Sequence, residues 1–326
     1  MNEKLSDIGE REILNRLKIY MDVGQIDNDT AIIKSYGKDL ILNKDILVEN
    51  VHFNHKISSP EDIGWKAITV NLSDLACSGV NEIIGVTVGL VLPPNTNWQW
   101  VNRVYQGMEK ALKKYGGKII GGDCSKGKEK VISITALGTT SQLNLHRSNA
   151  KPGDHLVTSG PHGLSRLGLA LLESDPLTNS YTLSTKLKSK AIQAHKRPTP
   201  PLIALKELLY CKPETLPWRA AGTDSSDGLL EAIASICCSS KCSAELEPNK
   251  LPKDPEWPAG NHWEDWCLMG GEDFELVVSI PEKWAEAWKR RCPSIRTIGK
   301  ITSGEPKVIW RGGQEIKLSC PEFKHF

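Results

Sequence analysis

Apolar residues in this sequence change period again and again, and that alternation constrains the fold more than any single motif. Ile63, Ala67, Val70 and Leu75 recur at helical spacing from Pro60 to Ala76, whereas Glu82 to Leu92 is dense in Ile and Val like a buried strand. Trp98 to Tyr115 returns to helical spacing, Lys118 to Ile120 reads as a short strand entering Gly121-Gly122-Asp123, and Val131 to Leu137 reads as another strand. Ahead of these, Ser6-Asp7 followed by Ile8, Ile13, Leu14 and Leu17 predicts a capped helix, and Thr30 to Ile33 a strand. Leu40-Ile41-Leu42 reads as a strand that stops at Asn43-Lys44-Asp45, with a separate extended segment from Val48 to Phe53.

The alternation restarts after a polar, turn-forming stretch from Arg147 to Asp154. His155 to Ser159 reads as a strand, and Leu164 to Glu173, Lys186 to His195 and Leu202 to Leu209 as helices. Leu229 to Cys237 is a further helix, Phe274 to Ile280 a strand and Pro281 to Arg291 a helix. A chain of 326 residues exceeds what one hydrophobic core usually serves. Two mixed α/β domains are therefore expected, residues 1–147 and 148–326.

Composition narrows the class. With 41 Lys and Arg against 39 Asp and Glu, the net charge of +2 offers no global field for nucleic acid and favours small ligands. The nine cysteines form no short-range framework, and Cys237, Cys238 and Cys242 lack a second pair that would make a zinc knot. The N-terminal segment has no apolar signal core, and the apolar runs are too short to span a bilayer, so a reducing cytoplasm and no membrane are expected.

A local pattern then repeats: small residues followed by Asp, in Ile26-Asp27-Asn28-Asp29, Asn71-Leu72-Ser73-Asp74, Gly121-Gly122-Asp123, Asp224-Ser225-Ser226-Asp227-Gly228 and Gly270-Gly271-Glu272-Asp273. Small residues admit a bulky anion close to the backbone, and carboxylates are the hard oxygen ligands that Mg²⁺ prefers. Mg²⁺ takes only one or two carboxylates besides phosphate and water, so dispersed aspartates suit it. Each Asp alone has a plainer reading: Asp74 and Asp227 as helix caps, Asp123 as a turn residue. Gly122 to Lys128 imitates a P-loop, but Glu129 stands where Ser or Thr belongs and the β-branched run from Val131 replaces the required helix. No dinucleotide fingerprint and no His-Glu-x-x-His motif is present.

In order and spacing these motifs, with Asp45 and Val48 to Phe53, Arg147 and Lys151 to Asp154, resemble the thiamine-monophosphate kinases, within the superfamily that includes aminoimidazole ribonucleotide synthetase and selenophosphate synthetase. The resemblance implies that superfamily's two-domain mixed α/β fold, with mixed sheets flanked by helices, and a homodimer joined through N-terminal strands. It implies transfer of the ATP γ-phosphoryl group to thiamine monophosphate, with several Mg²⁺ ions held by Asp29, Asp45, Asp74, Asp123, Asp224 and Asp227. Among these, Asp74, Asp123, Asp224 and Asp227 stand closest to the chemistry. Gly121, Gly122, Arg147 and Ser226 match positions that contact ATP, and His52, Glu272 and Phe323 match positions that hold the thiamine half of the acceptor. Two departures stand out. Asn28 replaces the first carboxylate of the family's Gly-Asp-Asp, and Asn43-Lys44 replaces the usual Ser or Thr, leaving Lys44 either to neutralise phosphate or to crowd a metal.

Other members of the superfamily fit less well. Selenophosphate synthetase needs a reactive residue in a mobile N-terminal segment, and the first cysteine here is Cys77. The hydrogenase-maturation relatives end in Cys, whereas Cys320 precedes a six-residue tail. Aminoimidazole ribonucleotide synthetase, which catalyses an ATP-dependent cyclisation, remains an alternative, but the GEDFE segment and Phe323 favour the thiamine reading. From another class, a nucleotide sensor that binds without turnover remains an alternative.

Overall fold

The computed structural model describes residues 31–33 and 37–316. The Ser6-led helix, Asp27, Asn28, Asp29 and Phe323 lie outside the described residues.

Eleven described strands form two mixed sheets. The first contains β1 (Ala31–Ile33), β2 (Leu40–Val48), β3 (Val80–Leu92), β4 (Ile119–Lys126) and β5 (Val131–Thr140), in the order β1-β2-β5-β3-β4. Only β3 and β4 pair in parallel. The second contains β6 (His155–Thr158), β7 (Ala221–Asp224), β8 (Ser243–Leu246), β9 (Leu276–Ile280), β10 (Arg296–Thr302) and β11 (Lys307–Trp310), in the order β11-β8-β10-β6-β9-β7. Here only β11 and β8 are parallel.

Two long helices, α1 (Pro60–Cys77) and α2 (Trp98–Tyr115), pack on one face of the first sheet. Alternation along β5 explains the choice of face: Ile132, Ile134 and Ala136 are buried while Val131, Ser133 and Thr135 are less so. The same core continues into the second half through Leu276, Val278, Trp284 and Trp288, so α1 is enclosed between the two sheets. The remaining α-helices among the described residues are α3 (Leu164–Leu172), α4 (Pro176–Asn179), α5 (Thr185–Lys196), α6 (Leu202–Tyr210), α7 (Leu229–Ser240), α8 (Asn261–Met269) and α9 (Glu282–Arg291). Helix α7 packs its Leu229, Ile233 and Ile236 against Leu246 and Ile298 of the second sheet.

Helix α1 starts at a complete capping box. The Ser59 hydroxyl accepts from the Asp62 N–H at 3.2 Å, and the Asp62 carboxylate accepts from the Ser59 N–H at 3.3 Å. Pro60 follows in the first turn, where a missing N–H costs nothing. Helices α1 and α2 touch backbone to backbone: a Cβ on Gly64 would lie 1.9 Å from the Val104 carbonyl oxygen, and one on Gly107 would lie 2.1 Å from that of Glu61.

Two sequence expectations are corrected here. Strand β2 does not stop at Asn43; it runs unbroken from Leu40 to Val48 and pairs with β5 throughout. The segment from Val48 to Phe53 is a turn, not a strand. Asn50 adopts φ 65°, the chain reverses, and His52 closes the turn by donating its N–H to the Val48 carbonyl at 2.9 Å and accepting the Val48 N–H on Nδ1 at 3.0 Å.

Because the helix contact is backbone against Cα, no rotamer change can relieve an added methyl. Gly64→Ala is expected to lower the unfolding free energy by about 2 kcal/mol or more in denaturant titration, despite alanine's better helix propensity. Gly89→Ala, whose Cβ would meet Ser133 Cβ at an ordinary 3.4 Å, is the control and should shift it by less than about 1 kcal/mol.

Candidate functional site

The last two turns of α1 gather polar residues from three elements. Asn43 and Asp45 lie two apart on β2 and share the face turned toward α1. Asn71 of α1 reads both: its Oδ1 accepts from Asn43 Nδ2 at 3.1 Å and from the Asp45 N–H at 3.2 Å, while its own Nδ2 donates to the Ala67 carbonyl at 2.9 Å. Asp74 Oδ2 accepts from Asn43 Nδ2 at 2.7 Å. Ser73 turns the other way and donates to Asp224 Oδ2, at the end of β7, at 2.9 Å. Asp45, Asp74 and Asp224 are thereby brought to one helix end.

Asp74 lies inside α1 and the N-cap of α7 is Gly228, so neither Asp74 nor Asp227 is the capping residue of its helix. Lys44 is exposed on the opposite face of β2 from Asn43 and Asp45, away from the face turned toward α1. The donor set around α1 is all oxygen, and Asn43 Oδ1 is buried without a hydrogen-bond partner among the described residues. An orphaned carbonyl oxygen beside two carboxylates fits a hard cation. Among the described residues no three His, Cys, Asp or Glu side chains alone form a metal cage, which is the arrangement Mg²⁺ needs least.

The motif from Asp224 to Gly228 and the motif from Gly270 to Asp273 are laced together by backbone. The Ser225 N–H donates to the Glu275 carbonyl at 3.1 Å, the Glu275 N–H to Ser225 Oγ at 3.1 Å, and the Glu272 N–H to the Ser226 carbonyl at 2.7 Å. A Cβ on Gly271 would stand 2.7 Å from that same Ser226 oxygen, which is why the second motif needs its glycine. Ser226 Oγ donates to Asp224 Oδ1 at 3.3 Å. Arg147 is anchored alongside, its Nε and Nη2 donating to Thr223 Oγ1 at 3.2 and 3.0 Å.

Glu272 leads to a second group. Its Oε1 lies 2.5 Å from Lys66 Nζ and its Oε2 lies 3.3 Å from His195 Nδ1. Burial opposes ionisation of Glu272, but Lys66 and His195 outweigh it and hold the carboxyl down at about 2. Lys66 Nζ also donates to the His52 carbonyl at 3.3 Å, so His52 and Glu272 are brought to the same lysine. Two neighbours of Glu272 behave oppositely. Burial pushes Asp273 up to about 8 against the pull of the Gly163 and Ser165 N–H groups, which cap α3 through its carboxylate at 2.6 and 3.0 Å. Burial also raises Glu275 to about 7, although Ser159 Oγ donates to it.

Gly121, Gly122 and Asp123 lie elsewhere, on the exposed edge strand β4. The register aligns Asp45, Ile134, Val88 and Gly122 in one row across the sheet, and Ile46, Ser133, Gly89 and Asp123 in the next, on the opposite face. Three strand spacings, about 14 Å, separate β2 from β4. Within one chain, Asp123 is therefore not brought to Asp45 and Asp74. The motif reading missed Asn43, Lys66, Asn71, Ser73 and His195 as site residues. The one signal available for Lys66 and Asn71 was a charged or amide side chain set among apolar residues of a helix.

Comparison with known proteins follows the same outline. A family model described as AIR synthase related protein, N-terminal domain, matches residues 27–140. The thiamine-monophosphate kinase of Prochlorococcus marinus is 59% identical over 325 residues, 99% of this chain and 98% of that protein. That of Synechococcus elongatus is 38% identical over 330 residues, covering 100% of this chain and 98% of its own length. The solved structure of AaThiL complexed with AMPPCP and TMP is 29% identical, with a TM-score of 0.85 and complete coverage of both chains.

The raised carboxyls have a measurable consequence. Glu275 holds its proton in the folded protein up to about pH 7 but loses it near 4.5 when unfolded. Its contribution to stability is thus complete below about pH 4.5 and is lost as pH rises to about 7. Glu275→Gln cannot lose that contribution. Its stability relative to the unsubstituted protein should rise by at least about 1 kcal/mol between pH 4.5 and 7.5, read by denaturant midpoints across pH.

Proposed function

The chain belongs to the thiamine-monophosphate kinase family, and on that premise we propose that it transfers the γ-phosphoryl group of ATP to the phosphate of thiamine monophosphate, giving thiamine diphosphate and ADP. The observation that supports the reading at particular residues is that contacts of the last turns of α1 reach Asp45 and Asp74 beside the orphaned Asn43 Oδ1 and, through Ser73, Asp224.

The residues proposed to hold Mg²⁺ are Asp29, Asp45, Asp74, Asp123, Asp224 and Asp227. Mg²⁺ bound there supplies the positive charge that lets two anionic phosphates approach each other. The chain's own part is positioning. Arg147, anchored to Thr223, is proposed to contact an ATP phosphate through its guanidinium, and Ser226 and the backbone of Gly121 and Gly122 are the other positions proposed to contact ATP. His52, Glu272 and Phe323 take the thiamine half, where an ionised carboxylate complements a cationic thiazolium.

The polar turn at 147/148 is proposed as the joint between an N-terminal half that binds ATP and metal and dimerises, and a C-terminal half. The outer face of the first sheet supports the dimer: Ile46 and Ile120 are 49% and 45% exposed there, and Asp123 sits in the same row as Ile46. A partner docked on that face meets Asp123. A cytoplasmic protein acting on small molecules, without nucleic-acid or membrane partners, completes the reading; among the described residues no helix is long and apolar enough to cross a membrane.

The test is a coupled assay of the purified protein with ATP, Mg²⁺ and thiamine monophosphate, with free thiamine as the control acceptor. Equal amounts of thiamine diphosphate and ADP are expected, abolished by EDTA. ATP-dependent stabilisation without product would instead identify a sensor. Asp74→Asn and Asp123→Asn should each lower kcat at least about tenfold, about 1.4 kcal/mol, with thermal unfolding unchanged. Wild-type turnover in either folded variant refutes that metal assignment.

A further inference from the structure

Lys66 is 6% exposed, and a lysine so enclosed must find partners for its ammonium group inside the protein. Its partners include Glu272 Oε1 at 2.5 Å and the His52 carbonyl at 3.3 Å. They come from different places: His52 from the turn after β2, Glu272 from the loop before β9. Lysine suits the task because its donors radiate from one atom and can serve a carboxylate and a carbonyl together, which a planar guanidinium does less readily.

The position of Lys66 on α1 gives the contact its meaning. Lys66, Val70 and Asp74 follow one another at four-residue spacing along one side of the helix. Eight residues separate Lys66 from Asp74, a rise of about 12 Å along a rigid axis. One end of that axis carries the carboxylates read as metal ligands, and the other carries the lysine that ties down both described residues read as thiamine contacts. Glu272 is held at both oxygens, by Lys66 and by His195, before any substrate arrives.

We propose that Lys66 is a positioning residue that fixes His52 and Glu272 at a set distance from the carboxylate cluster, so that the thiamine half of the acceptor and its phosphate are placed together. The inference rests on the reading of His52 and Glu272 as acceptor-binding residues. Lys66 is not among the residues read as holding phosphate or metal; it acts through the residues it holds.

Steady-state kinetics of the full chain with both substrates tests this. Lys66→Gln should raise KM for thiamine monophosphate at least about tenfold while KM for ATP stays within about twofold, and Lys66→Arg, which keeps the charge, should recover part of the loss. An unchanged acceptor KM in folded Lys66→Gln, or an equal rise in both KM values, overturns the proposal, since an equal rise marks a merely structural role. Should Lys66→Gln not fold, the double variant with Glu272→Gln leaves no unpaired buried charge. Its acceptor KM should exceed that of Glu272→Gln alone, because His52 also loses its anchor, while KM for ATP stays within about twofold; an acceptor KM equal to that of Glu272→Gln overturns the proposal. Glu272→Gln alone separates the two readings. A wild-type acceptor KM there overturns the acceptor-site reading itself, whereas a raised one beside an unaffected Lys66→Gln overturns only the role of Lys66.

Discussion

Enclosure of α1 between two sheets is the constraint on which the rest of the structure depends. Ile63, Ala67, Ile68, Leu72 and Leu75 are buried, as an interior helix requires, but so are Asp62, Lys66, Thr69, Asn71 and Ser73. A buried polar group without a partner costs on the order of 1–3 kcal/mol, so each must be satisfied within the protein. Asp62 pairs with Arg197 at 2.6 Å, Thr69 Oγ1 donates to the Trp65 carbonyl at 3.1 Å, Asn71 clamps β2, Ser73 reaches β7 and Lys66 reaches Glu272. Two of the bonds that make the helix tolerable inside the core, those of Asn71 and Ser73, also reach Asp45 and Asp224, two of the carboxylates proposed as metal ligands. Fold and proposed site therefore share contacts.

The stretch from Glu272 to Glu275 shows how environment divides labour among identical chemical groups. All three residues are half-buried, and burial favours the neutral form of each carboxyl. Only Glu272 has a cation within 2.5 Å, and it alone falls, to about 2, while Asp273 and Glu275 rise to about 8 and 7. Near neutral pH the dependable negative charge of the segment is that of Glu272. The backbone also bends to deliver it: Glu272 and Phe274 take φ values of 65° and 52°, a conformation that non-glycine residues adopt at a cost of about 1 kcal/mol or more. The lacing between Ser225, Ser226 and Glu275 supplies the over-determination that holds such a loop.

Long periodic elements were legible in the sequence because packing against a single face leaves a strong signal. Helices α1 and α2 and strand β3 match their expected spans to within a few residues. Strand β2 was read as broken because Asn43 and Asp45 interrupt its apolar pattern, yet they face the polar end of α1 and belong to the strand. Strand β7 escaped notice because Ala221-Gly222-Thr223-Asp224 carries too little apolar bulk to register, and the reversal at Asn50 hides in a β-branched segment. The aspartates were legible through the order of their motifs. Their partners were not, since an amide, hydroxyl or ammonium in a helix reads as a solvent-facing residue until the opposing layer is known.

The acidic motifs do not all converge within one chain, and the reason is the first sheet itself. Its inner face holds Asn43 and Asp45 against α1, while the register turns Asp123 to the outer face, about 14 Å away across three strands. A rearrangement that carried Asp123 to the inner face would have to shift β4 by one residue against β3, and it would bring a side chain to the position of Gly122, where a Cβ would lie 2.2 Å from the Val88 carbonyl oxygen. The local packing opposes that slip. An exposed carboxylate on an exposed edge strand, in a row shared with the exposed Ile46, is instead disposed toward a neighbour. The proposed homodimer is in this sense a condition on the site: a second copy across the outer face is what would give Asp123 a phosphate or a metal to meet.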